Sequence, residues 1–200
     1  GNQELATEVS QPIPVNNYAR TKLLGEQQAL KYCKDAIIVR TNFFCWGTTY
    51  RKSFSDFILN KLRNNEQVDL FSDILFTPIL VDELSKRTHQ LIDLNAKGVF
   101  NIVGSKRISK YAFGIKLANC FNLDDSLINQ VSIDDRPNLV KRPKDMSLSN
   151  TKLCQTLNCK ISSLDEQLLT LKQQESHSVT NQVILDILPY GKHYIDEDDI

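Results

Sequence analysis

Apolar positions follow a helical spacing in some segments and form short unbroken runs in others, and the two kinds of segment alternate. Phe54, Phe57, Ile58 and Leu62 form one such helical stripe. Residues 36–39 form an apolar run of the kind found in strands of parallel sheets that are buried on both faces. This pattern predicts helices at 17–32, 53–64, 81–94, 109–121, 150–157 and 163–174, and strands at 36–39, 68–71, 74–76, 98–103 and 130–133. The fold class is therefore α/β.

Composition narrows the class of protein. The 200 residues are 41% hydrophobic and 24% charged, which is typical of a globular domain. Lys+Arg and Asp+Glu are both 24, so bulk charge does not favour nucleic-acid binding. No apolar run approaches the roughly 20 residues of a membrane span, and no signal peptide opens the chain. We expect a cytoplasmic protein that binds neither nucleic acid nor membrane.

The cysteines favour neither a disulfide framework nor a metal site. They number five and include no C-x-x-C pair, and no histidine lies beside Cys154 and Cys159, which are closest in sequence. We expect five reduced thiols and no bound metal.

Tyr18 and Lys22 are the residues most suggestive of catalysis. Four positions apart on a helix, their side chains share one face. A positive charge beside a phenol stabilises the phenolate, so the pair can exchange a proton with a carbonyl or alcohol oxygen. The spacing alone is also common in helices whose tyrosine and lysine have no catalytic role.

Six segments have the residue types and spacing of known enzyme motifs. Residues 17–26 resemble the segment Y-G-x-S-K-x-x-G-E, and residues 40–47 resemble R-x-x-x-x-Y-G, with one extra residue and Trp46 in place of the tyrosine. The remaining resemblances are to P-x-x-V-x-D-L at 76–84, G-x-Y-x-x-x-G at 98–104, S-x-Y-E-F at 108–113 and R-P-x-x-S-x-L at 142–148. In this order the segments resemble those of the extended short-chain dehydrogenase/reductases, and specifically the dTDP-4-dehydrorhamnose reductases.

The resemblance implies the C-terminal part of a Rossmann-type NAD(P)-binding domain together with a small mixed α/β substrate lobe. Residues 1–52 would belong to the Rossmann-like part, 53–174 mainly to the substrate lobe, and 175–200 to a linker and stub. That stub resembles the start of a pyridoxal-phosphate aminotransferase that acts on sugar nucleotides, which suggests a fusion. We expect residues 1–11 and 175–200 to pack poorly.

The resemblance also implies a role for individual residues in a reductase of a 4-keto nucleotide sugar. Tyr18 and Lys22 would be catalytic. The residues implied to hold NADPH or NADH are Tyr18, Lys22, Thr41, Asn42 and Phe43. Those expected to bind the nucleotide sugar are Trp46, Arg51, Ser53 and Arg142.

For three of these residues, the neighbouring sequence also supports the predicted binding of a phosphate group. Arg51 and Ser53 lie at a predicted helix start, where cations and backbone N–H groups suit a phosphate. Arg142 lies in an irregular basic segment that could clamp a diphosphate.

Three alternatives stay open at this point. An NAD-dependent nucleotide-sugar epimerase or dehydratase has the same tyrosine and lysine. A non-catalytic regulatory subunit, resembling that of methionine adenosyltransferase, would bind a partner instead. A homodimer is also open. The glycine-rich phosphate loop of the family is missing from these residues, so we expect them to be inactive alone.

Overall fold

The computed structural model describes residues 4–48, 50–140 and 142–176, and short strands alternate with helices along them. The helices are α1 (Asn17–Tyr32), α2 (Phe54–Arg63), α3 (Val81–Asp93), α4 (Lys110–Phe121), α5 (Thr151–Leu157) and α6 (Leu164–Ser176). The strands are β1 (Ile37–Arg40), β2 (Phe43–Phe44), β3 (Val68–Phe71), β4 (Leu75–Phe76), β5 (Ile79–Leu80), β6 (Gly98–Asn101), β7 (Ile108–Ser109) and β8 (Ile128–Val131). The predicted α/β class is confirmed.

Polar side chains fix several helix starts. The Oγ of Ser109 accepts a hydrogen bond from the N–H of Ala112 at 3.0 Å, and α4 begins directly after it. Ser163 and Glu166 form a capping box at α6, since the N–H of each donates a hydrogen bond to the other's side chain. Such caps satisfy backbone donors that the first turn of a helix leaves open, so the starting points were readable from sequence.

The strands pair across large sequence separations. β1 runs parallel to β6, with Ile37 opposite Gly98 and Arg40 opposite Asn101. β2 pairs parallel with β5, β3 pairs parallel with β8, and β4 pairs antiparallel with β7. Three of these four ladders are therefore parallel, and their carboxyl ends provide the edge at which ligands commonly bind in α/β folds.

Two apolar clusters form the core. The larger lies between α2, α4 and α6, and Phe113 is fully buried in it, with ring centroids 5.3 to 5.8 Å from those of Phe44, Phe54 and Phe76. The smaller cluster packs β6 against α3 and α5 and contains Ile79, Leu91, Phe100, Ile102, Leu153 and Ile161. The stripe predicted on α2 contributes Ile58 and Leu62 to the larger cluster, as expected of a core-facing helix.

The structure corrects three expectations about strands. β1 is only partly buried along its length, rather than buried on both faces, because β6 is its one partner among the described residues. β8 begins at Ile128, two residues before the predicted start. The strands β2, β5 and β7 were missed, since two residues are too few to show a period.

The expectation of poor packing at both ends holds for exposed residues such as Val9, which is 94% exposed, but the described ends also make specific contacts. Ala6 forms a bridge with Leu148, and Glu8 Oε1 accepts the N–H of Asn101 at 2.9 Å. At the other end α6 continues to Ser176, and Glu175 forms an ion pair with Arg63 at 2.7 Å. Of the linker and aminotransferase-like stub predicted at 175–200, residues 177–200 lie outside the described residues.

Candidate functional site

The Tyr18–Lys22 pair lies at the first turns of α1. Asn16 sets this position, because its Oδ1 accepts the N–H of Ala19 at 2.8 Å and so caps the helix. The Nζ of Lys22 lies 5.4 Å from the centroid of the Tyr18 ring. Tyr18 is 71% exposed and Lys22 is also exposed, so both polar groups can meet a ligand. The structure thus brings together the two residues predicted to be catalytic.

An ion pair orients α1 against β1. Glu26 accepts two hydrogen bonds from Arg40, at 3.0 Å from Nε and 2.5 Å from Nη2. Helix α1 has no fully buried residue, so this bidentate contact is a main attachment to the sheet. Arg40 ends β1, and Tyr18 lies eight residues before Glu26, about 12 Å along the helix. Tyr18 therefore projects beyond the carboxyl end of β1, where α/β folds bind ligands.

The side chains of the three residues after β1 differ in their hydrogen bonds and in their exposure. The Oγ1 of Thr41 is buried and finds no hydrogen-bond partner among the described residues. Asn42 turns its Oδ1 towards Thr77, whose hydroxyl donates at 3.2 Å. Phe43 belongs to β2 and is 55% exposed. Of the three predicted cofactor contacts, Thr41 thus offers a hydroxyl and Phe43 an apolar face.

Asn101 was not singled out from sequence. It faces Arg40 in the β1–β6 ladder and donates from Nδ2 to the carbonyls of Ala6 and Ser149, at 3.0 and 3.1 Å. Its own Oδ1 is buried without a hydrogen-bond partner among the described residues. Two unsatisfied oxygens, from Thr41 and Asn101, therefore lie at neighbouring strand ends. The lone asparagine at the end of an apolar strand was the available signal.

Trp46 and Ser53 are held mainly by the protein itself. The indole N–H of Trp46 donates to the carbonyl of Leu171 at 2.8 Å. The Ser53 hydroxyl donates to the carbonyl of Cys45 at 2.6 Å and accepts the N–H of Asp56 at 3.1 Å. A substrate contact at either residue stays a prediction. It would involve atoms of these side chains that are not already hydrogen-bonded within the protein.

The start of α2 already carries a carboxylate. Asp56 Oδ2 accepts the N–H groups of Gly47 and Ser53, at 2.6 and 2.8 Å. An anionic ligand would therefore compete with Asp56 for this helix terminus. Arg51 beside it is exposed, and its contact with substrate also stays a prediction.

Lys110 is a cation that was not predicted as a site residue, and the charge of Arg142 acts on it. Lys110 opens α4, and its Nζ is 3.8 Å from the ring centroid of Phe54 and 4.5 Å from that of Phe76. Burial and the positive charge of Arg142 lower the pKa of Lys110 to about 8. Ser-Lys at a helix start was visible in the sequence, but only the fold brings Phe54 and Phe76 to it.

Neither a disulfide nor a metal-ligand cluster occurs in the same described part of the chain. All five cysteines are free thiols. Within residues 4–48, 50–140 and 142–176 no three His, Cys, Asp or Glu side chains cluster as metal ligands would. No helix in these ranges has the length and apolar character needed to cross a membrane.

Comparison with known proteins identifies the family. The model of the RmlD substrate binding domain matches residues 2–176, and the chain belongs to that family. The resemblance seen in the sequence motifs is thereby confirmed.

Individual relatives are more distant. The probable low-salt glycan biosynthesis reductase Agl14 of Haloferax volcanii is 26% identical over 168 residues, covering 82% of this chain and 56% of that protein. The methionine adenosyltransferase 2 subunit beta of Rattus norvegicus is 27% identical over 166 residues, covering 74% of this chain and 46% of that subunit. The chain therefore spans about half the length of these two curated relatives.

A solved structure shows the same fold. The dTDP-4-dehydrorhamnose reductase of Bacillus anthracis, crystallised with NADP, superposes with a TM-score of 0.79 at 22% identity. The match covers 87% of this chain and 61% of that enzyme. The Rossmann-like α/β architecture expected from sequence is thus confirmed.

Proposed function

We propose that this member of the RmlD substrate-binding-domain family acts in an NAD(P)H-dependent reductase of a 4-keto nucleotide sugar. The observation that carries the proposal is the exposed Tyr18–Lys22 pair beyond the carboxyl end of β1. A tyrosine that only packed a helix against a sheet would be buried, whereas this hydroxyl is open to a ligand. The reductases among the relatives support the same assignment.

The residues at the end of β1 fit a nicotinamide cofactor. Tyr18 and Lys22 are accessible, and Thr41 holds a buried hydroxyl that lacks a partner among the described residues. We assign these three, with Asn42 and Phe43, to binding of NADPH or NADH. When bound, the cofactor supplies the hydride that reduces the carbonyl carbon.

The remaining chemistry is proton transfer and positioning. Tyr18 donates its phenolic proton to the carbonyl oxygen at C4 of the sugar, and Lys22 stabilises the phenolate that remains. Lys22 also holds the ribose of the cofactor. Trp46, Arg51, Ser53 and Arg142 are proposed to line the nucleotide-sugar side, with the arginines facing the diphosphate.

The test uses the gene product as the cell makes it, with a dTDP-4-keto-6-deoxy sugar and NADPH or NADH. We expect oxidation of the cofactor with formation of one equivalent of reduced sugar. Tyr18→Phe should lower the rate about a hundredfold or more, since a positioned proton donor contributes that much. Tyr32→Phe is the matched control, because Tyr32 is 79% exposed at the other end of α1 with Lys31 5.2 Å from its ring. Equal rates for Tyr18→Phe and the parent would contradict the proposal.

The same assay separates the alternatives. An epimerase or dehydratase would convert its sugar without net oxidation of the cofactor. A regulatory subunit would show no turnover of any 4-keto sugar and would co-purify with a synthetase. The co-purification experiment is needed because the chain is also similar to the methionine adenosyltransferase 2 subunit beta.

A further inference from the structure

The C-terminal end of α5 brings Cys154 and Cys159 together. Asn158 adopts the left-handed conformation, with φ 45° and ψ 50°. The N–H of Cys159 donates to the carbonyl of Cys154 at 3.1 Å, and the N–H of Asn158 donates to that of Gln155 at 3.4 Å. This nested pair of hydrogen bonds around a left-handed residue is the Schellman motif, which commonly ends a helix. Its outer hydrogen bond joins the two cysteines directly.

The side chains of the two cysteines meet across this motif. The residues joined by the outer hydrogen bond of a Schellman motif frequently place their side chains in contact. Burial raises the pKa of the Cys154 thiol, and Cys159 raises it further through its charge and a side-chain hydrogen bond. These two effects outweigh those of the Ile161 N–H and of Arg87, which lower this pKa. The influence of Cys159 agrees with the proximity that the backbone hydrogen bond imposes.

The separation of the two residues is suitable for a disulfide. A disulfide forms without backbone movement where two Cα atoms lie about 4.4–6.8 Å apart and their Cβ atoms point towards each other. The backbone hydrogen bond keeps the Cα atoms of Cys154 and Cys159 at about this separation, because the carbonyl carbon and the nitrogen that it links are each bonded to one of them. Cys159 lies beyond the end of α5, so the cross-link requires no unwinding of the helix.

Both thiols are accessible to a small reagent. Cys154 and Cys159 are free and half-buried, and the residues around them in sequence include the exposed Gln155, Asn158 and Lys160. Reagents that react with thiols can therefore reach the pair from solvent.

Cys33 provides an internal reference for an accessible thiol in another setting. It is exposed at the C-terminal end of α1, and its backbone N–H donates to the carbonyl of Ala29 rather than to a cysteine. Its reactions with thiol reagents should reflect exposure alone.

We propose that Cys154 and Cys159 form a reversible disulfide, so that the end of α5 is a redox modification site. The oxidant is a small-molecule disulfide of the oxidised glutathione type. The proposal does not depend on the reductase assignment, because neither cysteine belongs to the residues assigned to that reaction.

The reaction is thiol–disulfide exchange in two steps. The Cys159 thiolate attacks one sulfur of oxidised glutathione, whose S–S bond breaks, and the first glutathione leaves as a thiolate that takes up a proton. Cys154 then loses its proton and attacks the sulfur of Cys159, which releases the second glutathione. The two cysteines lose two electrons and oxidised glutathione gains them. We assign the first attack to Cys159 because the raised pKa of Cys154 keeps that thiol protonated.

The disulfide would fix the loop that follows α5. The carbonyl of Lys160, next to Cys159, accepts a hydrogen bond from Arg87 of α3 at 3.0 Å. Ile161 then enters the smaller core cluster. A cross-link beside these contacts restricts the unfolded chain, so the oxidised protein should be the more stable form.

The experiment equilibrates the gene product with defined mixtures of reduced and oxidised glutathione. The remaining thiols are blocked with N-ethylmaleimide, and tryptic peptides are analysed by mass spectrometry without reduction. Trypsin cuts after Lys152 and Lys160, so both cysteines lie in the single peptide 153–160. We expect this peptide to lack maleimide and to be lighter than the dithiol by two hydrogen atoms. The peptide containing Cys33 should carry glutathione or maleimide instead.

Single-cysteine variants test the second step. In Cys154→Ser, glutathione should remain on Cys159 as a mixed disulfide about tenfold or more than in the parent, because no neighbouring thiol displaces it. Cys33→Ser is the matched control and should form the 153–160 disulfide as the parent does. Parent protein that retains as much glutathione on Cys159 as Cys154→Ser would overturn the proposal.

A measurement on unfolded protein separates the effect of the fold from closeness in sequence, and it needs no variant. Urea removes the Schellman motif, whereas the four residues between the cysteines remain. At one glutathione mixture, we expect the ratio of disulfide to dithiol to be about tenfold or more higher in the native protein. An equal or lower ratio in the native protein would overturn the assignment.

Discussion

The ammonium of Lys22 lies 5.4 Å from the centroid of the Tyr18 ring, one helical turn away on the exposed surface of α1. The helix cap at Asn16 fixes where this turn begins, and the ion pair between Glu26 and Arg40 fixes how it meets the sheet. The proposed proton donor Tyr18 and its neighbouring cation Lys22 are therefore positioned by two contacts that involve neither residue.

Removal of the Lys22 charge should impair both catalysis and cofactor binding. We expect Lys22→Met to lower the reduction rate about tenfold or more, because the phenolate left on Tyr18 loses its neighbouring positive charge. Steady-state kinetics with varied NADPH measures both effects. Lys31→Met at the far end of α1 is the control, since Lys31 also lies beside a tyrosine ring, and its rate should match the parent. Parent-like kinetics for Lys22→Met would argue against the assigned role.

Loss of the Glu26–Arg40 ion pair should loosen α1. Both side chains are largely buried, at 16% and 21% exposed, so Glu26→Ala is expected to cost about 1–3 kcal/mol in unfolding free energy. Urea denaturation measures this loss of unfolding free energy. In Glu26→Ala, the backbone amides of α1 should exchange with solvent faster than in the parent, whereas those of α4 should change less. Glu66→Ala, which removes an exposed pair with Lys61, should change stability by less than about 0.5 kcal/mol. Equal losses for the two variants would show that α1 is held by other contacts.

Gln167 should be a stabilising residue that is sensitive to substitution. It is buried, its Oε1 accepts the N–H of Leu80 at 2.6 Å, and its Nε2 donates to the carbonyl of Ser162 at 2.7 Å. Leu80 is the N-cap residue directly before α3, and its apolar side chain makes no capping hydrogen bond. Gln167→Leu leaves both backbone groups without these partners and should cost about 2 kcal/mol or more.

Chemical denaturation of Gln167→Leu provides the measurement. Gln155→Leu changes an exposed glutamine on α5 and serves as the control, with an expected change below about 0.5 kcal/mol. A Gln167→Leu variant as stable as that control would show that the two backbone groups find other partners.

Acid should weaken the structure through Asp145. Burial opposes its ionisation, but hydrogen bonds from Arg107 and Ser147 outweigh that effect and hold the pKa of Asp145 below its usual range. A carboxyl whose pKa is lower in the folded state stabilises the fold above its unfolded value of about 3.9, and this contribution is lost as the pH falls through the folded value.

Denaturant midpoints measured from neutral pH down to about pH 3 test this dependence. We expect Asp145→Asn to be less stable than the parent at pH 7 and to lose less stability on acidification. Arg107→Gln removes the cation paired with Asp145. This variant should also be less stable than the parent at pH 7 and lose less stability on acidification. Parallel pH curves for the parent and Asp145→Asn would contradict the assignment.

The sequence by itself determined the local features of this protein. The caps at Asn16, Ser109 and Ser163 accept backbone N–H groups three residues further along the chain. Helix starts can therefore be predicted from the residues next to them in sequence. The Tyr18–Lys22 juxtaposition follows from the helical repeat alone. The motifs likewise indicated the family that residues 2–176 match.

Tertiary structure decided whatever depends on partners far along the chain. The two-residue strands β2 and β5 exist because each supplies the other's hydrogen bonds. The carboxylate of Glu8 is held by a hydrogen bond from the backbone N–H of Asn101. Residues 1–11 have no hydrophobic periodicity from which this contact could be predicted. The ammonium of Lys110 lies over the rings of Phe54 and Phe76 only because the fold brings these three distant residues together. Contacts of this kind are set by the packing of the whole core, which local sequence does not encode.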